Sequence, residues 1–144
     1  MAFLKSMDIS SSALSAQRVR MDVIAENLAN ITTTRTANGQ PYRRRYVVFQ
    51  QREDEVSFSS LLDRAQARSN GSGVRVSEIR EDESPFKLDY NPEHPDANAE
   101  GYVQMPNVDL AVEMIDMMAA TRSYEANVTA MNAIKSMATK ALEI

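Results

Sequence analysis

Several residue types are absent or rare in this chain of 144 residues. It has no cysteine, no tryptophan and one histidine, and aromatic residues make up 6% of the total. The lack of cysteine excludes disulfides and thiolate metal sites, and a single histidine leaves a serine- or thiol-type nucleophile little choice of partner base. Carboxylate pairs remain possible because acids are plentiful, but the order of residues singles out no pair. We expect no enzymatic activity, no catalytic residue and no cofactor.

Long hydrophobic runs and a strong net charge are also missing. Nothing approaches the roughly 20 apolar residues of a membrane span, and Met1–Lys5 has neither a continuous apolar run nor a small-residue cleavage site. We expect that no signal peptide is cleaved, so export would need another route. The net charge of −4 argues against general affinity for nucleic acid.

The only histidine, His94, lies between Pro92 and Pro95 in a turn that also contains Glu93 and Asp96. Carboxylates and an imidazole can bind a cation, but this spacing fits neither an EF-hand nor a zinc motif. The two prolines favour a rigid, exposed turn instead. We expect no metal here.

The most regular pattern occupies the last third of the chain. It predicts one helix from residue 108 to 144, with Asn107 as its cap. Apolar or small residues recur at steps of three and four, and one frame runs through Leu110, Met114, Met117, Thr121, Tyr124, Val128 and Met131. A second frame beside it runs through Met117, Ala120, Tyr124, Asn127, Met131, Ile134 and Ala138. The apolar arc is therefore wider than a single partner helix needs.

The beginning of the chain repeats this doubled pattern from Asp8 to Asn30. One frame runs through Leu14, Gln17, Met21, Ile24, Leu28 and Ile31, and the other runs through Ile9, Ala13, Ala16, Arg20, Val23 and Asn27. Asn27 and Asn30 lie where the helix is predicted to close, because asparagine tolerates the left-handed backbone. Both ends of the chain are thus predicted to be long helices.

All four glycines and all five prolines fall between residues 32 and 107. Three short strands are predicted at 46–49, 74–76 and 86–88, with a short helix or ordered loop at 58–68. We therefore predict a mainly α fold, in which long terminal helices (1–31 and 108–144) pack as a hairpin or coiled coil around a small β-rich insert (32–107).

Charge is uneven along this insert. Residues 32–52 contain five arginines and no acid, whereas residues 53–100 are rich in acids. Opposite patches can attract copies of one chain head to tail, although both patches can equally be solvated faces without a partner. Arg43, Arg44 and Arg45 beside Tyr42 and Tyr46 resemble a single-strand nucleic-acid site, but the overall acidic balance argues against it.

A set of short stretches forms an ordered signature along the chain. They are Asp8–Ser10, Ala16–Met21, Ala25–Asn30, Thr33–Thr36, Gly39–Arg44, Ser84–Phe86, Asn91–Ala97, Gly101–Val103, Pro106–Val108, Glu113–Met114 and Arg122–Asn127, together with Lys135. This set resembles bacterial flagellar basal-body rod proteins. The resemblance covers both ends of the chain and the second half of the insert.

The resemblance implies a structural subunit whose terminal helices pack with those of its neighbours into a tube around a channel. It implies export by the flagellar type III apparatus and a place in the periplasmic rod of the basal body. The implied partners are copies of the chain, other rod proteins, the inner-membrane (MS) ring and the rod-base adaptor. No nucleic acid and no small-molecule substrate is implied.

Combined with the doubled helical frames, this gives a predicted assembly interface. Its residues are Ile9, Leu14, Met21, Ile24, Asn27, Leu28, Asn30, Arg43, Arg44, Arg45, Leu110, Met114, Met117, Tyr124, Asn127, Met131 and Ile134. Three alternatives remain open: a helical adaptor or secretion chaperone that does not polymerise, a hydrolase that uses Asp89, Glu93 and Asp96, and a helix lying on a membrane surface.

Overall fold

The computed structural model describes residues 2–52 and 72–143 of the chain. Helix α1 (Ala2–Ala29) opens the chain and helix α2 (Leu110–Leu142) closes it. Within the described part of the insert there are four strands: β1 (Arg45–Gln51), β2 (Val74–Glu81), β3 (Lys87–Tyr90) and β4 (Tyr102–Met105). The predicted pair of long helices with a small β insert is confirmed. The predicted helix or loop at 58–68 lies outside the described residues.

Helix α1 begins at Ala2, six residues before Asp8, where the doubled pattern starts. Within the helix, Ser12 Oγ donates to the Ile9 carbonyl oxygen at 2.7 Å and Ser15 Oγ donates to that of Ser11 at 3.1 Å. A serine hydroxyl that donates to a carbonyl oxygen of the preceding turn is satisfied inside a helix, so such a serine does not mark where the helix starts. Asn30 follows the helix, and its Nδ2 donates to the Glu26 carbonyl oxygen at 2.9 Å.

Helix α2 is capped by Asp109 and not by the predicted Asn107. Asp109 Oδ1 accepts the backbone N–H groups of Ala111 at 2.9 Å and Val112 at 3.3 Å. These bonds, with help from Lys87, hold the pKa of the Asp109 carboxyl below its usual value. Asn107 instead binds the insert, because its Oδ1 accepts from Arg44 N–H at 2.8 Å. The helix therefore starts later than predicted.

The strands of the described residues form two separate two-stranded sheets. Strands β1, β2 and β3 correspond to the three predicted strands, and β4 was not predicted. In the first sheet, Arg52 N–H donates to Gly73 O and Asp82 N–H donates to Arg44 O, which is the order of antiparallel strands. In the second, β3 and β4 are antiparallel, with Lys87 opposite Met105 and Tyr90 opposite Tyr102. Strand β4 is only four residues long, too short for its alternation to stand out in the sequence.

Contacts divide the chain into two compact units. The first comprises residues 1–19, 48–78 and 121–144, and the second comprises residues 20–47 and 79–120. In the first unit, Ser10 and Ala16 are buried. The apolar core of the second unit is small and consists of Val23, Ile24, Tyr42, Val103, Val108 and Ala120. Within the described ranges, neither helix has the length and apolarity needed to cross a bilayer.

Gly73 fixes the approach of β2 to α1 within the first unit. Its φ of +105° is left-handed, and Ser12 Oγ accepts the following Val74 N–H at 3.1 Å. A Cβ at Gly73 would collide with Ser12 Oγ and lie 3.2 Å from Ser12 Cβ. Glycine is therefore required here both by the backbone angle and by the lack of space.

We predict that Gly73→Ala lowers the free energy of unfolding by about 2–4 kcal/mol, because left-handed strain and overpacking add. Gly39→Ala is the matched control: its φ is also positive, at +73°, but nothing lies within 4 Å of the added methyl group. It should cost only about 1–2 kcal/mol. Urea unfolding of both variants measures the difference, and equal losses would contradict the steric argument.

Candidate assembly site

The centre of the second unit is polar. Asn27 of α1 and Glu113 of α2 are fully buried, and Tyr42 is buried beside them. With Arg44 they form a group that we call the buried polar cluster. A buried polar group without a hydrogen bond costs about 1–3 kcal/mol, and a buried charge costs more. The stability of this cluster therefore depends on complete pairing.

Asn27 uses its entire hydrogen-bonding capacity. Its Nδ2 donates to the Arg45 carbonyl oxygen at 2.8 Å and to Glu113 Oε2 at 3.0 Å. Its Oδ1 accepts from the Tyr42 hydroxyl and from Arg45 N–H, both at 2.9 Å. Two donated and two accepted bonds are all that an amide side chain offers. One side chain thus connects α1, the segment leading into β1, and α2.

Arg44 compensates the buried charge of Glu113. Its Nε donates to Glu113 Oε1 at 2.5 Å, while Oε2 is occupied by Asn27. Removing one member of a buried charge pair typically costs about 3–5 kcal/mol, because the other charge is left uncompensated. Arg44 therefore fixes the first turn of α2 against the beginning of β1.

Further carboxylates surround Arg44. Its Nη2 donates to Asp116 Oδ2 at 3.1 Å, and its Nη1 lies 3.9 Å from Asp82 Oδ2. Asp116 Oδ1 also accepts from Arg20 of α1 at 3.2 Å. Burial alone would lower the pKa of the Arg44 guanidinium, but the bond to Glu113 and the nearby carboxylates outweigh it and raise that pKa above its usual value. Arg44 stays charged.

The other two arginines of the triplet also have partners inside the chain. Arg43 donates to the Asp82 carbonyl oxygen at 3.1 Å, and its guanidinium lies 4.4 Å from the centre of the Phe86 ring. Arg45 pairs with Glu26 at 2.9 Å and with Glu81 at 3.6 Å. The triplet is therefore not a free basic patch, because the fold brings acids from the insert and both helices next to it.

The predicted apolar residues differ in how far the chain covers them. Ile24 is buried, and the half-buried ones are Ile9, Leu14, Met21, Leu28, Met117, Tyr124, Met131 and Ile134. The predicted Asn30 and Asn127 are also half-buried, whereas Asn27 is fully buried. Leu110 and Met114 are exposed. One heptad before the buried Ala120 comes Glu113, so the first turns of α2 direct a carboxylate inward.

An uncharged apolar surface remains on the outside of these turns. Its large side chains, which we call the outer α2 face, are between 49% and 62% exposed, and they are Leu110, Val112, Met114, Ile115 and Met118. A shallow groove of about 740 Å³ lies beside this surface, between Leu110 and Met114 on one side and Leu88 on the other, and charged Lys87, Asp89 and Asp109 also line it. Contiguous apolar surface of this kind is typical of protein–protein contact sites.

The turn around His94 has no metal geometry. No group of three or more histidines and acids within 2–52 and 72–143 could hold an ion. His94 Nδ1 accepts from Asp96 N–H at 3.1 Å, and Asp96 Oδ2 accepts from Thr34 Oγ1 at 2.9 Å. These side chains stabilise the turn itself.

Sequence reasoning missed Glu113, Asp116 and Tyr42 as parts of the site. A signal was present for Glu113, since extending the second α2 frame back from Ala120 by seven residues leads to it. Asn27 was included, but as a helix-closing residue and not as the buried link between the helices. For Tyr42 and Asp116 nothing in the local pattern indicates that the chain brings them together.

Two family models match the chain. The model described as "Flagella basal body rod protein" covers residues 7–35, and the model described as "Flagellar basal body rod FlgEFG protein C-terminal" covers residues 99–144. These are the two segments that contain the helices contributing Asn27 and Glu113. They define the class as flagellar basal-body rod proteins.

Curated relatives specify the class further. The chain is 57% identical to the flagellar basal-body rod protein FlgC of Bacillus subtilis, over 100% of this chain and 99% of the relative. It is 44% identical to FlgC of Borreliella burgdorferi and 44% identical to FlgC of Salmonella typhimurium, over 100% of this chain and 98% of each relative. The chain therefore belongs to the FlgC family of flagellar basal-body rod proteins, and it is a structural rod subunit.

The buried hydroxyl of Tyr42 gives a pH prediction. Burial, followed by the nearby Glu26, raises the pKa of Tyr42 to about 12. The unfolded chain ionises this phenol near pH 10 and the folded chain does not, so the folded state holds more protons between these values. The free energy of unfolding should fall by about 2–3 kcal/mol as pH rises from 10 to 12.

Tyr42→Phe should lack this alkaline loss, although it should cost about 1 kcal/mol at pH 7 because the bond to Asn27 is gone. Urea unfolding from pH 8 to pH 12 measures both effects. Tyr46→Phe is the control, since Tyr46 is an exposed tyrosine four residues away. Parallel pH profiles for Tyr42→Phe and the parent chain would contradict the assignment.

Proposed function

We propose that this chain is a subunit of the proximal rod and assembles through the terminal helices into a tubular drive shaft. The shaft would transmit motor torque and enclose the export channel. The observation that carries this proposal is the outer α2 face, where five large apolar side chains are about half exposed and no charge interrupts them. Burying such a surface against a neighbour is favourable, at about 25 cal/mol per Å².

The remaining ends of the helices support the same role. Leu4 near the start of α1 and Met137 and Leu142 near the end of α2 are all more than 60% exposed. We infer that the two helices form a hairpin. The apolar residues of their inner frames pack against each other, and those of their outer frames contact neighbouring subunits. Small contacts repeated around a tube then add up to a rigid shaft.

The charged insert has a smaller part in this proposal than the sequence indicated. Arg43, Arg44 and Arg45 already have partners within the chain. The exposed Asp89, Glu93 and Glu100 of the turn region remain available for lateral contacts with basic groups of neighbouring subunits. Such contacts would orient subunits more than they strengthen the shaft, because exposed ion pairs contribute little.

The partners we propose are copies of this chain, other rod proteins, and, at the base, the MS ring and the rod-base adaptor. We also propose that the chain reaches the periplasmic rod through the flagellar type III export apparatus without losing a signal peptide. Family membership supports this route, and a cysteine-free chain can fold equally well after transfer to an oxidising compartment.

The assembly proposal predicts that Ile115→Asp or Met118→Asp leaves the fold intact and abolishes swimming. Both side chains are exposed, so the free energy of unfolding should change by no more than about 0.5 kcal/mol. A charge on the buried side of a subunit contact would prevent association. Urea unfolding of the purified chain and motility of complemented cells measure the two effects.

Asn132→Asp, at an exposed polar position of the same helix, is the control for added charge and should swim normally. Normal swimming with Ile115→Asp would refute the role of the outer α2 face. Ile24→Asp is less informative, because Ile24 is buried and its loss tests folding. A chain that forms a small defined oligomer and is missing from purified basal bodies would favour the adaptor or chaperone.

A further inference from the structure

The apolar seams of the two helices are poorly suited to select one alignment. Along α1 they present small side chains such as Ala13 and Ala16, and along α2 they present Ala120 and the flexible Met117 and Met131. Small and flexible residues pack acceptably in more than one register, because neither fits only one hole. A device other than apolar packing is needed to fix the axial position.

The buried polar cluster supplies such a device within the second unit. Asn27 of α1 bonds Glu113 of α2, and Arg20 of α1 bonds Asp116 of α2. Asn27, the later of the two α1 residues, bonds Glu113, the earlier of the two α2 residues, so the helices are antiparallel here. Arg44 and Tyr42 bind the same cluster from the segment that follows α1, so they move with Asn27.

A slide of the helices by one heptad would break every link between them in the cluster. In one direction, Ala120 would come opposite Asn27, and a methyl group can neither donate nor accept a hydrogen bond. In the other direction, Asn27 would pass beyond Leu110, the first residue of α2. Either slide leaves the fully buried Asn27 without Glu113, and it separates Glu113 from the Arg44 charge.

We propose that the Asn27–Glu113–Arg44 cluster is a register key: it permits a single axial alignment of α1 and α2 and thereby sets where the outer α2 face is presented to neighbours. These residues are positioning residues, since none of them belongs to that face. The register claim concerns the isolated chain. Its consequence for assembly rests on the proposed function.

The test uses the lack of native cysteine to place two spin labels, at the exposed positions Ala25 of α1 and Val112 of α2. The parent chain should give one narrow distance. Arg20→Leu, Asn27→Leu and Glu113→Leu together remove both links between the helices but leave Arg44 its partners Asp116 and Asp82. This variant should remain folded and show a second distance, because a slide of one heptad moves the helices past each other by about 10 Å along their axes.

A second variant moves the key. Glu113→Ala with Ala120→Glu places the carboxylate one heptad later, so α2 should slide by about 10 Å along its axis and the label distance should move to a new single value. Glu26→Gln with Arg45→Gln is the control, because it removes an exposed 2.9 Å ion pair that also joins α1 to β1. It should keep the parent distance.

An unchanged single distance in either key variant would overturn the proposal. Loss of folding in both would overturn it too, because the cluster would then be required for stability and not for register. Recovery of the variants in purified basal bodies tests the link to assembly, and normal recovery despite two distances would refute that link. Absence of the parent chain from basal bodies would instead contradict the proposed function and leave the register result unaffected.

Discussion

The second unit depends on keeping one carboxylate out of water. Glu113 is fully buried and is stabilised only because Arg44 neutralises it and Asn27 occupies its second oxygen. Each of these partners comes from a different part of the chain, so the cluster cannot form until α1, the start of β1 and α2 have met. The charge pair therefore adds little net stability. Its main effect is to require that α1, the start of β1 and α2 come together in one arrangement.

This condition explains how apolar residues are distributed around α2. With Glu113 inward and Asp109 capping the helix, the large apolar residues of the first turns must lie on the outside. The same turns that look like a core seam in the sequence thus form an external surface. A buried polar cluster beside the apolar core, together with an apolar outer surface, fits a subunit completed by its neighbours.

The sequence predicted the elements better than their contacts. Doubled heptad frames were sufficient to place both helices, because periodicity is a local property. They could not show that position 113 faces inward, since the pattern around Leu110 and Met114 has a stronger apolar signal. The arginine triplet was visible, but its partners Glu113, Glu26 and Asp82 lie far along the chain or on another element. Tertiary proximity of this kind is not encoded in residue spacing.

The small apolar core of the second unit has a consequence for the supply of subunits in the cell. Six modest side chains give an unassembled molecule little protection against local opening, and opened segments are the ones that proteases cleave. In the proposed shaft, neighbouring subunits would shield an assembled molecule, whereas a surplus molecule would have no such cover. Turnover should therefore remove excess chains and keep their number matched to the places available.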